Sequence, residues 1–107
     1  MKYLLILAAS SFLFVGTAFA DDAKTQYSTF CVACHGAEGK GDGAAGAALD
    51  PKPTDLTTST LSDADTTKII KEGGAAVGRS PLMAPWGSAL NDDQIKAMVA
   101  YLKTLRK

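Results

Sequence analysis

The chain has 107 residues, 47% hydrophobic and 21% charged, with eleven Lys and Arg balanced by eleven Asp and Glu. That length holds one small domain, and the charge balance argues against nucleic acid as a partner, which would call for a basic face. No long charge run, internal repeat or low-complexity tract divides it.

The first predicted element is a secretory signal. Met1-Lys2-Tyr3 gives a basic start, Leu4 to Ala9 an apolar run, and Ala18-Phe19-Ala20 a small-x-small cleavage site. Cleavage after Ala20 divides the chain into a signal, 1–20, and a folded domain, 21–107. The alternative is a retained anchor, but Ser10, Ser11, Gly16 and Thr17 interrupt the apolar run and make it a poor spanning helix. No stable membrane insertion is expected once the signal is gone. Loss of Lys2 leaves ten basic residues against eleven acidic ones.

A helix is predicted from Asp21-Asp22 towards Phe30, with one of the two acids as its cap. Ala23 and Tyr27 are four apart and share a face, and Tyr27 and Phe30 are core candidates. The helix delivers Cys31-Val32-Ala33-Cys34-His35. Cys-x-x-Cys-His is the attachment signal of a c-type haem. Each thiol can add across a haem vinyl group, the two-residue spacer puts both sulfurs on one turn, and His35 follows at once as proximal iron ligand. A thioredoxin-like redox pair would require a βαβ pattern, and none surrounds the motif. A zinc site would need two further ligands, but the chain has no third cysteine and no second histidine. A Cys31–Cys34 disulfide would leave His35 without a role.

Residues 36–43, Gly-Ala-Glu-Gly-Lys-Gly-Asp-Gly, stop the helix and form a loop. They lack the Gly-Lys-Ser/Thr ending of a phosphate loop. The expectation is that glycine here brings backbone close to the haem edge. Pro51-Lys52-Pro53 reads as stiff and extended. Lys52 and Thr57 are within reach of a haem propionate in principle and are expected to be solvent-exposed. Ser62, with Asp65 three residues on, caps a helix that carries Ile69 and Ile70 into the core and stops at Gly73-Gly74. Leu61 before the cap can pack back on its first turn. The stretch 75–89 has no apolar periodicity. In the last helix Asn91 and Gln94 form a capping box, Leu90 and Ile95 a hydrophobic staple, and Ile95, Met98, Val99, Leu102 and Leu105 an apolar stripe. Lys103, Arg106 and Lys107 suit its negative end.

A haem on His35 leaves one iron position open, and no second histidine exists to fill it. Met98 belongs to the apolar stripe, where methionine is usually a gap filler. Met83 lies between Pro81 and Pro85, outside any regular helix. Met83 is therefore the candidate second ligand, with Met98 and an open site as alternatives. Met/His ligation raises the reduction potential, and an iron filled on both sides can only pass an electron through the haem edge.

The chain resembles a small monohaem class I cytochrome c of the bacterial type. The resemblance covers essentially all of 21–107. It rests on Tyr27, Cys31 to Gly36, Gly39-Lys40-Gly41-Asp42-Gly43, Met83-Ala84-Pro85-Trp86-Gly87, and the ending Leu90 to Ile95 with Val99-Ala100-Tyr101-Leu102. The haem motif is specific by itself; the rest counts by order and spacing. The resemblance implies an all-α cytochrome c fold of three to five short helices around one covalently attached haem c. It implies that first and last helices cross, with Tyr101 as the aromatic at the contact and Ala23 at a position that is usually glycine. Ala84 stands between Met83 and Pro85, where the family often has the proline directly after the methionine. The resemblance further implies a periplasmic, monomeric electron carrier, not an enzyme, between a membrane electron donor and a terminal oxidase or reductase, in respiration or photosynthesis. Ala33, Pro81 and Leu82 would form its docking rim. The competing reading is a haem enzyme or gas sensor with an open sixth site; a peroxidase would need a distal acid-base group, and neither Glu38 nor Arg79 has a reason to lie over the iron. A third is a metal or dithiol module without haem.

So short a domain buries little apolar surface unaided, and a haem would fill its core. A Cys31→Ser, Cys34→Ser chain made without haem is therefore expected to be poorly folded. Far-ultraviolet circular dichroism checks this, and a near-native helical spectrum would contradict it.

Overall fold

The computed structural model describes residues 15–107, with side chains from residue 22 onward. The basic start and most of the apolar run of the expected signal lie outside the described residues. The architecture is all-α: helices α1 (Val15–Phe30), α2 (Val32–His35), α3 (Asp63–Glu72) and α4 (Asp92–Thr104), with short 3-10 turns at Gly46–Ala48, Leu56–Thr58 and Gly74–Val77. Among the described residues there is no strand, and no helix is long and apolar enough to cross a membrane.

Helix α1 starts earlier than the acids suggested. The backbone is helical from Val15, so Asp21 and Asp22 stand inside the helix and neither caps it. No glycine or proline lies between Thr17 and Asp22 to break the run, and the three alanine and phenylalanine residues before Asp21 let the helix continue backwards.

The other helix ends follow local chemistry. Ser62 accepts from the Asp65 amide at the start of α3. At the start of α4 the Asn91 side chain accepts from the Gln94 amide and the Gln94 side chain from the Asn91 amide, each at 2.8 Å. These bonds satisfy amides that a helix start leaves without partners. Gly73 ends α3 at φ 92°, a left-handed conformation that suits glycine.

The core lies where α1 packs on α4, with α3 against α4. Tyr27, Ile70, Leu90, Ile95, Met98 and Val99 form one buried cluster. Leu90 and Ile95 both belong to it, as the staple requires. Tyr27 and Tyr101 meet at the crossing with ring centroids 5.4 Å apart and planes at 52°, a tilted arrangement that aromatic pairs favour. Ala23 of α1 is only 1% exposed and so is buried like the core side chains. Fully buried side chains of the Ile and Met kind each contribute about 1.5–3 kcal/mol. Two exposed ion pairs, Lys71–Asp92 and Lys103–Asp63, link α3 to α4 without adding to that core.

Tyr27 does more than pack. Its hydroxyl donates to the Gly36 carbonyl at 2.6 Å in a buried setting, tying α1 to the residue after His35. Burial first, then the neighbouring Cys31, Tyr101 and Asp42, push its phenol up to about 12. The neutral phenol is thus favoured by folding, so this contribution to stability is intact below pH 10, where an unfolded tyrosine begins to ionise, and is lost as pH rises towards about 12. Tyr27→Phe is expected to lower stability by about 1 kcal/mol at neutral pH. It should also flatten the alkaline decline of stability, which denaturant unfolding across pH measures.

Candidate haem site

Helix α2 has four residues, Val32–His35, and cannot satisfy its own carbonyls. The loop after it does so. Amides of Gly36, Ala45, Gly43 and Gly41 donate to the carbonyls of Val32, Ala33, Cys34 and His35 at 2.9, 2.8, 3.1 and 2.7 Å. The loop must come very close to do this: a Cβ on Gly43 would overlap the carbonyl oxygens of Val32 and Ala33. The expectation that the glycines of 36–43 approach the haem edge is thereby corrected. None of them lines the cleft described below; they hold the Cys-x-x-Cys-His turn from behind.

That turn opens on one apolar cleft. Cys31, Cys34 and His35 line it together with Tyr27 and Phe30 of α1, Ile69 and Ile70 of α3, Met98 and Leu102 of α4, and Leu49, Pro51, Pro53 and Leu56 of the intervening loop. The segment after α3 supplies Gly74, Leu82, Met83 and Trp86. Phe30 and Trp86 are in contact, with ring centroids 5.1 Å apart. Lys52, Arg79 and Arg106 add positive charge to the same lining.

The imidazole is held from outside the motif. His35 Nδ1 lies 3.1 Å from the Thr54 carbonyl oxygen. A carbonyl only accepts, so Nδ1 carries the proton and Nε2 keeps its lone pair. Burial lowers the His35 pKa and the Thr54 bond opposes that shift, favouring a neutral ring at physiological pH. Such an outer-shell bond orients a ligating histidine. Burial, with Cys34 beside it, pushes the Cys31 thiol up to about 11. Redox-catalytic cysteines have depressed values, the opposite direction to this shift.

The two methionines differ as their sequence settings suggest. Met98 is 0% exposed, packed in the core cluster with its edge on the cleft. Met83 is half-buried on an irregular segment and lines the cleft. Of the expected docking rim, Leu82 lines the cleft and is 47% exposed, while Ala33 and Pro81 are exposed but off the lining.

Thr57 departs from expectation. It is buried, its hydroxyl and amide donating to Asp55 Oδ1 at 2.6 and 2.9 Å. These bonds hold the Asp55 carboxyl below its ordinary range and cap the turn Leu56–Thr58. Thr57 faces this cap and lies outside the cleft lining, so it has no free hydroxyl for a propionate. Lys52 is exposed, as expected. The role of Thr54 was not legible, because any residue supplies a carbonyl. Among the described residues no group of three or more His, Cys, Asp and Glu could hold a bare metal ion.

Known proteins share the sequence pattern and the fold. The cytochrome c family model matches residues 20–106. The cytochrome c-554(547) of Halothiobacillus neapolitanus is 31% identical over 89 residues, covering 78% of this chain and 92% of that protein. A chain of the Kuenenia stuttgartiensis reducing HAO-like protein complex superposes with a TM-score of 0.67 at 30% identity; the match covers 80% of this chain and 42% of that one. A further c-type cytochrome, KustC0563, superposes with a TM-score of 0.63 at 22% identity over 80% of this chain and 99% of its own.

If the loop secures α2, adding one methyl at Gly43 must displace the cysteine turn. Gly43→Ala is expected to cost about 1–3 kcal/mol, as overpacking does. It should also reduce the fraction of chains that carry haem, read as the ratio of Soret to protein absorbance.

Proposed function

This chain belongs to the cytochrome c family, whose members are electron carriers with covalently attached haem c, and from that premise we propose how its own residues serve that work. Cys31 and Cys34 would hold one haem c by thioether bonds, and His35 and Met83 would ligate its iron. The observation that carries this reading is that both thiols, the imidazole with its free Nε2, and the Met83 side chain all line one apolar cleft. Met98 is already committed to the core, which favours Met83 over it.

Haem bound here would supply a one-electron ferric–ferrous couple. The protein's part is to hold the ligands and keep water out. The Thr54 carbonyl fixes the His35 ring, and the Tyr27 hydroxyl fixes the backbone behind it. The aromatic and aliphatic part of the lining would keep water from the iron. A setting that changes little between oxidation states would keep electron transfer fast.

We read the chain as exported, with residues 1–20 removed and 21–107 acting as a monomer in the periplasm. The family match beginning at residue 20 supports that boundary, and removal would leave Asp21 and Asp22 in the first turn of α1, where acids are favoured. Its partners would be a membrane electron donor and a terminal oxidase or reductase, met weakly at the rim around Leu82, Pro81 and Ala33. Redox encounters of this kind use small surfaces. The likeness to a chain of a reducing HAO-like protein complex supports redox proteins as its partners.

Visible spectra of the holoprotein in both oxidation states test the ligand set. Sulfur on ferric haem gives a weak long-wavelength band. It is expected in the unaltered protein and in Met98→Leu, and lost in Met83→Ala. A high-spin ferric spectrum in the unaltered protein, with rapid carbon monoxide binding when reduced, would instead make the chain an open-site haem enzyme or sensor.

A further inference from the structure

The segment that carries Met83 has no helix or strand to hold it. Between Arg79 and Met83 the backbone makes one turn, with the Met83 amide donating to the Ser80 carbonyl at 3.3 Å. Both ends of that turn are tied to a single residue. The Gly74 amide donates to the Met83 carbonyl at 3.0 Å, and the Gly74 carbonyl accepts from the Arg79 amide at 2.9 Å. Gly74 in turn follows Gly73, whose amide still bonds the Ile69 carbonyl at 2.8 Å as the end of α3. A second pair of bonds pins the exit of the segment: the Trp86 and Gly87 amides donate to Ile70 and Lys71 carbonyls at 2.7 and 3.1 Å.

Space at Gly74 matters as much as its bonds. Gly74 is buried and lines the cleft with Met83. A Cβ on it would overlap the Ser80 carbonyl oxygen and stand 3.2 Å from the Met83 Cβ. Its φ is not among the positive values of the chain's glycines. An alanine could therefore adopt the backbone conformation, and what excludes it is the closeness of the Met83 turn.

We propose that Gly74 is a positioning residue for Met83: it clamps both ends of the Arg79–Met83 turn to the end of α3 and, by lacking a Cβ, lets the turn close so that the Met83 thioether is held at the cleft. This inference rests on Met83 being the iron ligand. It adds that the strength of that ligation is set by a glycine nine residues earlier, at a helix end with no contact to iron of its own.

Gly74→Ala holoprotein is compared with unaltered protein, with Met83→Ala, and with Val99→Ala, a core truncation on α4 away from the cleft lining. The readouts are the sulfur-to-iron band, the reduction potential, and carbon monoxide binding to the reduced form. Gly74→Ala is expected to keep its covalently attached haem, checked by mass. It should lose the band at neutral pH, shift to a lower potential and gain carbon monoxide binding, while Val99→Ala changes none of these. Retention of the band and potential in Gly74→Ala overturns the proposal, and so does their equal loss in Val99→Ala, which would mark general loosening. Persistence of the band in Met83→Ala removes the ligand assignment itself, a separate failure. Should Gly74→Ala accumulate without haem, amide exchange in the unaltered holoprotein decides. Slow exchange at Gly74 supports the clamp, and exchange at the rate of an open loop overturns it.

Discussion

The backbone carbonyls of a four-residue helix have nowhere to go within the helix, and the Cys-x-x-Cys-His turn is such a helix. An isolated turn of this length would not persist, because one or two internal bonds cannot offset the ordering of its residues. Here the loop behind it donates an amide to each of its four carbonyls. That requirement explains Gly43: backbone must reach backbone, and a side chain there would stand in the way. The two thiols and the imidazole can then face one cleft, because the turn's polar edge is fully occupied on the other side.

Around this turn the fold supplies two walls of different character. One is built on the α1–α4 crossing, where Tyr27 combines ring packing on Tyr101 with a buried bond to Gly36. Core side chains there leave little room for movement, since interiors are packed at crystal-like density. The other is the irregular segment after α3, held by main-chain bonds to the helix end and by the contact of Trp86 with Phe30. The proposed ligands are held differently: His35 on the turn itself, oriented by Thr54, and Met83 on the irregular segment. A carrier built this way would keep one ligand fixed and let the hold on the other tune the reduction potential.

Charge plays a secondary part. The chain as a whole is neutral, and its inter-helix ion pairs are exposed. Three cations, Lys52, Arg79 and Arg106, line the cleft. Arg106 is also anchored, donating to the Leu61 carbonyl at 3.0 Å, so the last residues of the chain help to fix the cleft edge as well as the end of α4.

Where a residue's role depends on its near neighbours, the sequence was sufficient. Cys31, Cys34 and His35 are adjacent, and their spacing alone identifies the attachment turn. Asn91 with Gln94, and Ser62 with Asp65, announce helix starts because capping acts over three residues. The apolar stripe from Ile95 to Leu105 announces a packed face, and the prolines on either side of Met83 remove it from any helix. Roles that depend on which distant backbone comes close were decided only by tertiary structure. The Thr54 carbonyl meets His35 across nineteen residues, and any amino acid at 54 would carry the same oxygen. Gly43 and Gly74 read as loop glycines until the carbonyls of Val32, Ala33 and Ser80 are placed against them. Thr57 read as exposed until Asp55 folded over it. Sequence by itself determined the cofactor chemistry and the capped starts of α3 and α4, because both are local; the start of α1, which has no such local signal, it placed too late. Tertiary structure decided what orients the histidine and what holds the methionine segment, because those partners are backbone atoms whose identity no side chain records.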